Sequence, residues 1–252
     1  MSLPGAPQRL ILKIEAAGSR FLLDAAQVVE VAVAPEPGQP LHGHTTLEDL
    51  STRLGGDAEK KAHNAIVLDT SPTLALRVGR ALGVADAAWA RSFIVPPALA
   101  RLLEPAVRGV IELDDGYFFE VDPEALAKAA LPHRVPALHD LRDSRVASQS
   151  LVFLRAGQRY AVPLESVRQI VSTKSMLPCP LPGPLEGLVQ HGGKLWPVWS
   201  PDTHAHAERS PLAVLVESPA GAAALSAESA EGVRQGAALE GVMPLNIAAL
   251  FS

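Results

Sequence analysis

The sequence predicts a mainly β protein assembled from small barrels or sandwiches, with few and short helices. Three observations carry that expectation. Strand-length apolar runs recur along the chain, among them LILKI (10–14), AIVLD (65–69), LALRV (74–78), LVFL (151–154) and LAVLVE (212–217). The 19 glycines and 22 prolines break these runs at short intervals, and frequent turns between short strands are typical of such folds. One strand–turn–strand arrangement also occurs twice.

The elements follow in order. LILKI, the turn AGS (17–19) and RFLL (20–23) form a first strand pair. Ala25, Val28, Val31 and Ala32 then fall at the spacing of a short amphipathic helix. GVIEL (109–113) and YFFEV (117–121) flank Asp114, Asp115 and Gly116, which is hairpin-turn chemistry. DPEAL (122–126) predicts a helix start, with Asp122 as cap and Pro123 in the first position. Residues 132–148 read as a linker of mixed charge without periodicity.

LVFL, AGQ (156–158) and RYAVPL (159–164) repeat the opening pair, and Leu164, Val167, Ile170 and Val171 repeat the helical spacing. Gly157 minus Gly18 gives an offset of 139, which also pairs Arg159 with Arg20, Tyr160 with Phe21 and Val167 with Val28. The sequence thus predicts an internal duplication, with domains at 8–131 and 149–252. EGVMPLNIAALF (240–251) has the strand-then-turn shape of 108–126.

LVQH (188–191) and KLWPVW (194–199) are strand-like and joined by Gly192 and Gly193. Two glycines suit a two-residue hairpin loop because both take positive φ at little cost. Pro197 gives no ladder hydrogen bond, so its strand is expected to lie at an edge or to be bulged there. Leu195, Pro197 and Trp199 share one face, and Trp196 and Val198 the other. One face covers a core; the other requires a neighbouring subdomain or a separate protein. The candidate partner contacts are Leu188, Gln190, His191, Gly193, Leu195, Trp196 and Pro197.

Composition narrows the function. A net charge of −5 with interspersed signs argues against a nucleic-acid binder, and 4% aromatics against a base-stacking platform. The opening MSLPGAPQRL does not resemble a secretory signal. The longest apolar runs fall far short of the roughly 18–20 residues that cross a bilayer. The expectation is a cytoplasmic protein without membrane insertion. His42, His44, His204 and His206, with His63 and His191, lack the spacing of an established zinc site and read as loop histidines. Cys179 has no sequence-evident activating base. No G-x-S-x-G elbow occurs, and GGK (192–194) lacks the rest of a phosphate loop. No catalytic residue, metal or cofactor is expected.

The second copy resembles the CheW-like domain of bacterial chemosensory systems. YAVPLESVRQIV (160–171) is similar to that family's aromatic-Ala-(Ile/Val)-Pro motif and the V-x-x-I that follows. LPGP (181–184), GLVQHGGKLWPV (187–198) and LAVLVE resemble, in order, its proline-rich segment, its G-V-I-N-L-R-G-x-(V/L)-x-P-V hairpin and its next strand. The first copy is more worn. RFLLDAAQVVEV (20–31) and RGVIELDDGYFFEVDPEAL (108–126) match well, whereas HGHTTLEDLSTRLGG (42–56) and RVGRALGV (77–84) match loosely.

The resemblance implies two CheW-like domains, each a pair of small five-stranded SH3-like β-barrels with a few short helices. It also implies a non-enzymatic scaffold or adaptor in a chemosensory-type or motility system. Its partner would be a CheA-type histidine kinase, a chemoreceptor or a motility or polarity protein. The family's contact arginine is replaced by Gly192, its Asn by Gln190 and its Leu by His191, while Gly193 matches. Weak competition with an ordinary CheW is therefore expected. The alternatives are a small-molecule sensor or enzyme with a pocket at a barrel junction, and an SH3-like module for proline-rich peptides.

Overall fold

The structure, a computed structural model, describes residues 8–42, 46–59, 61–128, 130–131, 149–181, 183–202 and 210–251. The expected linker, 132–148, lies outside them. The fold is mainly β. Its strands are β1 (Leu10–Ala16), β2 (Ser19–Asp24), β3 (Val28–Val33), β4 (Glu48–Asp49), β5 (Asn64–Leu68), β6 (Leu74–Val78), β7 (Arg80–Asp86), β8 (Arg91–Phe93), β9 (Val107–Leu113) and β10 (Gly116–Val121) in the first half. The second half contributes β11 (Ser150–Arg155), β12 (Gln158–Pro163), β13 (Val167–Ser172), β14 (Leu177–Pro178), β15 (Leu185–His191), β16 (Lys194–Trp199), β17 (Leu212–Ser218), β18 (Gly221–Ala227), β19 (Ser229–Arg234) and β20 (Met243–Pro244). The α-helices α1 (Leu50–Arg53), α2 (Pro97–Leu103) and α3 (Pro123–Lys128) are short.

Two compact units result, one from Met1–Arg134 with Leu177–Pro182, the other from Val135–Met176 with Gly183–Ser252. In the first unit one sheet runs β7–β1–β2–β10–β9–β8 and a second runs β3–β5–β6–β4. Ile11, Leu22, Ile111 and Phe118 close one side of the larger sheet, and the Phe21 and Phe119 rings meet at 5.8 Å on the other. Leu177 and Leu181 are buried, and Ser19 Oγ donates to the Pro178 carbonyl at 2.7 Å. In the second unit the sheets run β19–β11–β12–β20 and β13–β17–β18–β16–β15.

The two halves share backbone details, the first of them at the offset of 139. Ala17 and Gly18 take φ of 48° and 72°, and Ala156 and Gly157 take 51° and 73°. The β1–β7 ladder slips at Lys13/Ile14, leaving Leu82 as the extra residue; the β11–β19 ladder slips at Val152/Phe153, leaving Glu231. The glycine after each bulge, Gly83 or Gly232, has φ of 119° or 100°. The β3–β5 and β13–β17 ladders both bulge, at Val29 and Arg168. A bulge changes twist and re-aims side chains, so equivalent bulges mean equivalent strand geometry rather than similar composition.

Each half has a full hairpin where the other has a two-residue strand. In the first, β9–β10 is complete and β10 runs parallel to β2, Phe119 opposite Phe21. At the corresponding place β20 alone pairs with β12, Met243 opposite Tyr160. In the second, β15–β16 is complete and β16 runs parallel to β18. Its counterpart is the two-residue β4, parallel to β6, followed by α1. The segment 42–56 thus forms a two-residue strand and one helical turn within its described residues, not the hairpin its loose match suggested.

The two expected amphipathic helices are corrected. Ala25–Gln27 and Leu164–Ser166 are single 3₁₀ turns, and Val28–Val33 and Val167–Ser172 are strands. Spacing of three, three and one also arises in a bulged strand. Five of the residues at 28–33 are apolar and four of those are β-branched valines, which favours the pleated state. Asp24 and Asp122 cap as their chemistry directs, accepting from Ala26 N at 2.9 Å and Ala125 N at 3.2 Å.

Candidate partner-docking hairpin

The hairpin β15–β16 is held in register by Leu188 opposite Pro197, Val189 opposite Trp196 and His191 opposite Lys194. Gly192 and Gly193 take φ of 58° and 80°, the pair of positive values that a tight two-residue turn requires. The strand of Pro197 is not an edge, and the ladder is regular there. It lies between β15 and β18, but β18 pairs only from Val198 onward, so the missing N–H falls where one flank is empty. The bulge in this hairpin is at Glu186 instead.

Both apolar faces are buried within the chain. Trp196, Val189 and Val198 pack with Met176, Ala213, Leu215 and Ala224. Trp196 Nε1 also donates to the His191 carbonyl at 3.2 Å, which ties the ring to the turn. On the opposite face Leu185, Leu188, Pro197 and Trp199 are buried too. Of the seven candidate contacts, Leu188, Trp196 and Pro197 are buried, Gln190, His191 and Leu195 are half-buried, and Gly193 is exposed. The accessible part is the tip, His191 to Lys194, and the rings serve the core that holds it.

A buried cation that sequence reading missed braces this hairpin. Arg155, 1% exposed, donates from Nη1 to Ser210 Oγ at 2.5 Å and from Nη2 to Glu186 Oε1 at 2.7 Å. Ser226 Oγ donates to the same carboxylate oxygen at 3.0 Å. The bulge turns Glu186 toward the guanidinium, so a local irregularity of β15 supplies the carboxylate that a buried arginine demands. The only sequence signal was an arginine ending a strand whose earlier copy ends in Ala16.

The accessible apolar surface is elsewhere. Val29, Val31 and Val33 are 66%, 44% and 81% exposed along β3, which has a hydrogen-bonded neighbour on one side only. At the same positions of β13 stand Arg168, Ile170 and Ser172. The strict alternation of valines at 29, 31 and 33 was the available signal.

The remaining candidates sort as follows. His42 Nε2 lies 2.9 Å from Glu30 Oε1. His44, His204 and His206 lie outside the described residues. Among the described residues no group of three His, Cys, Asp or Glu could hold a metal ion. Cys179 is half-buried, and desolvation pushes its thiol up to about 12 against a backbone hydrogen bond at Leu181 that lowers it, so the thiolate that would react is scarce. Asp115, at the β9–β10 turn, binds Lys13 Nζ at 2.7 Å. Among the described residues no helix is long and apolar enough to cross a membrane.

No family model matches the chain, and no curated protein matches it. Among solved structures, the chain is similar to the scaffolding protein TtCheW from Thermoanaerobacter tengcongensis, at 20% identity and a TM-score of 0.38. The similarity covers 47% of this chain and 92% of that one. No residue is carried across from it.

Proposed function

We propose that this chain is a non-enzymatic adaptor of a chemosensory-type or motility system, built from two CheW-like halves at 8–131 and 149–252 and working in the cytoplasm. The observation that carries the reading is the duplicated strand frame, with equivalent turns and bulges, on which the quoted motifs fall. YAVPLESVRQIV runs through β12 and β13, GLVQHGGKLWPV through β15 and β16, and LAVLVE through β17.

The partner is a CheA-type histidine kinase, a chemoreceptor or a motility or polarity protein, met at the tip of β15–β16. At that tip Gly192 removes the guanidinium that would make paired hydrogen bonds to a carboxylate. Binding to the regulatory domain of a CheA-type kinase is therefore weak, and competition with an ordinary CheW is weak or absent. A competition titration with purified regulatory domain tests this. Displacement of an ordinary CheW at equal concentration would overturn the assignment of Gly192 as the residue that weakens the contact.

A further inference from the structure

The first unit carries a cleft of about 420 Å³ between the end of β7 and the tip of the β9–β10 hairpin. Ala85, Ala90 and Leu113 line it and are themselves packed on the core of Ile11, Leu22, Ile111 and Phe118. Trp89 forms one wall and is 83% exposed. The backbone that carries it is fixed by a turn. The turn that carries it is closed by Asp86 Oδ1, which accepts Ala88 N at 2.9 Å, and by Ala90 N, which donates to the Ala87 carbonyl at 3.1 Å. An indole held out into water over an apolar floor is an unfilled stacking surface.

Acids outnumber bases around it. Asp86, Glu112, Asp114 and Asp115 line the cleft with one cation, Lys13. Lys13 is taken by Asp115 at 2.7 Å, and Glu112 accepts from the Tyr117 hydroxyl at 2.8 Å. Arg91 stands opposite Glu112 across β8 and β9, so Asp86 and Asp114 are what keep the cleft negative beside Trp89. The second unit has no such place among its described residues, since β20 stands where the β9–β10 hairpin would be.

We propose that this cleft docks an arginine side chain of a partner protein. A guanidinium is planar, stacks on an indole, and presents several donors to carboxylates at once. Arginine fits better than a free small cation because the cleft is open. Screened, exposed contacts hold an isolated ion poorly, whereas a polypeptide brings further contacts with it. The inference does not depend on the β15–β16 tip engaging any partner.

The test uses the full chain and the peptide acetyl-Gly-Arg-Gly-amide, with its citrulline and lysine counterparts as controls. The readout is the Trp89 indole resonance in a ¹H–¹⁵N NMR titration, assigned by its loss in Trp89→Phe. The expected result is a saturable shift with the arginine peptide. Affinity should be roughly fivefold or more lower for the citrulline peptide, and lower by a similar factor in the Asp86→Asn/Asp114→Asn variant. Trp89→Ala, at an exposed site, should keep the fold and lose the response of neighbouring Ala90 and Leu113 amides. Equal binding of arginine and citrulline, equal binding of lysine, or no saturable shift would each overturn the proposal.

Discussion

At the residue scale the turn glycines and the buried ions make the sharpest claims. A Cβ added at Gly192 meets nothing within 4 Å, but φ of 58° is costly for an L side chain. Gly192→Arg should therefore fold and lose about 1 kcal/mol in urea unfolding. It should also bind a CheA-type regulatory domain at least roughly tenfold tighter, through the paired hydrogen bonds only a guanidinium makes. Arg155→Ala strips the partly buried Glu186 of its guanidinium and should cost about 3–5 kcal/mol by the same measurement. A loss under about 1 kcal/mol would mean that Glu186 reaches water when Arg155 is removed. With its thiol pushed up to about 12, Cys179 should react with iodoacetamide at pH 8 far more slowly in the folded chain than in urea. Equal rates in the two would contradict the burial.

At the element scale the hairpin β15–β16 separates packing from recognition. Trp196→Ala should cost about 3–5 kcal/mol, since the ring fills a buried cluster. Gln190→Ala/His191→Ala/Lys194→Ala should leave urea unfolding within about 0.5 kcal/mol, because these side chains lie at or next to the hairpin tip and none is buried. On β3, Val31→Lys should leave stability within about 0.5 kcal/mol and lower self-association seen by light scattering, as a charge on an apolar edge does.

Much of this scale was legible in the sequence. The β9–β10 hairpin, the Asp122 cap, the glycine turn and the strands at 65–69, 74–78 and 212–217 follow from local chemistry. The helices expected after Pro163 and Asp24 failed because helical spacing and a bulged strand place apolar residues alike. β18 and β19, GAAALSA and SAEGVR, were not legible as strands, ALSAE (224–228) giving only a loose family match, because alanine, glycine and serine carry little strand preference; their pairing with β17 and β11 makes them strands. The burial of both hairpin faces was beyond local reading, because it depends on what the rest of the chain lays against them.

At the scale of the whole molecule, the full β9–β10 hairpin of the first half and the full β15–β16 hairpin of the second each stand where the other half has a two-residue strand, β20 or β4. The most direct measurement of the adaptor claim is a quantitative affinity capture from the native cell, comparing the intact chain with the Gln190→Ala/His191→Ala/Lys194→Ala variant. The expected result is a chemosensory kinase, receptor or motility protein on the intact chain that is depleted on the variant. Capture of none of these, or equal capture by both chains, would contradict it.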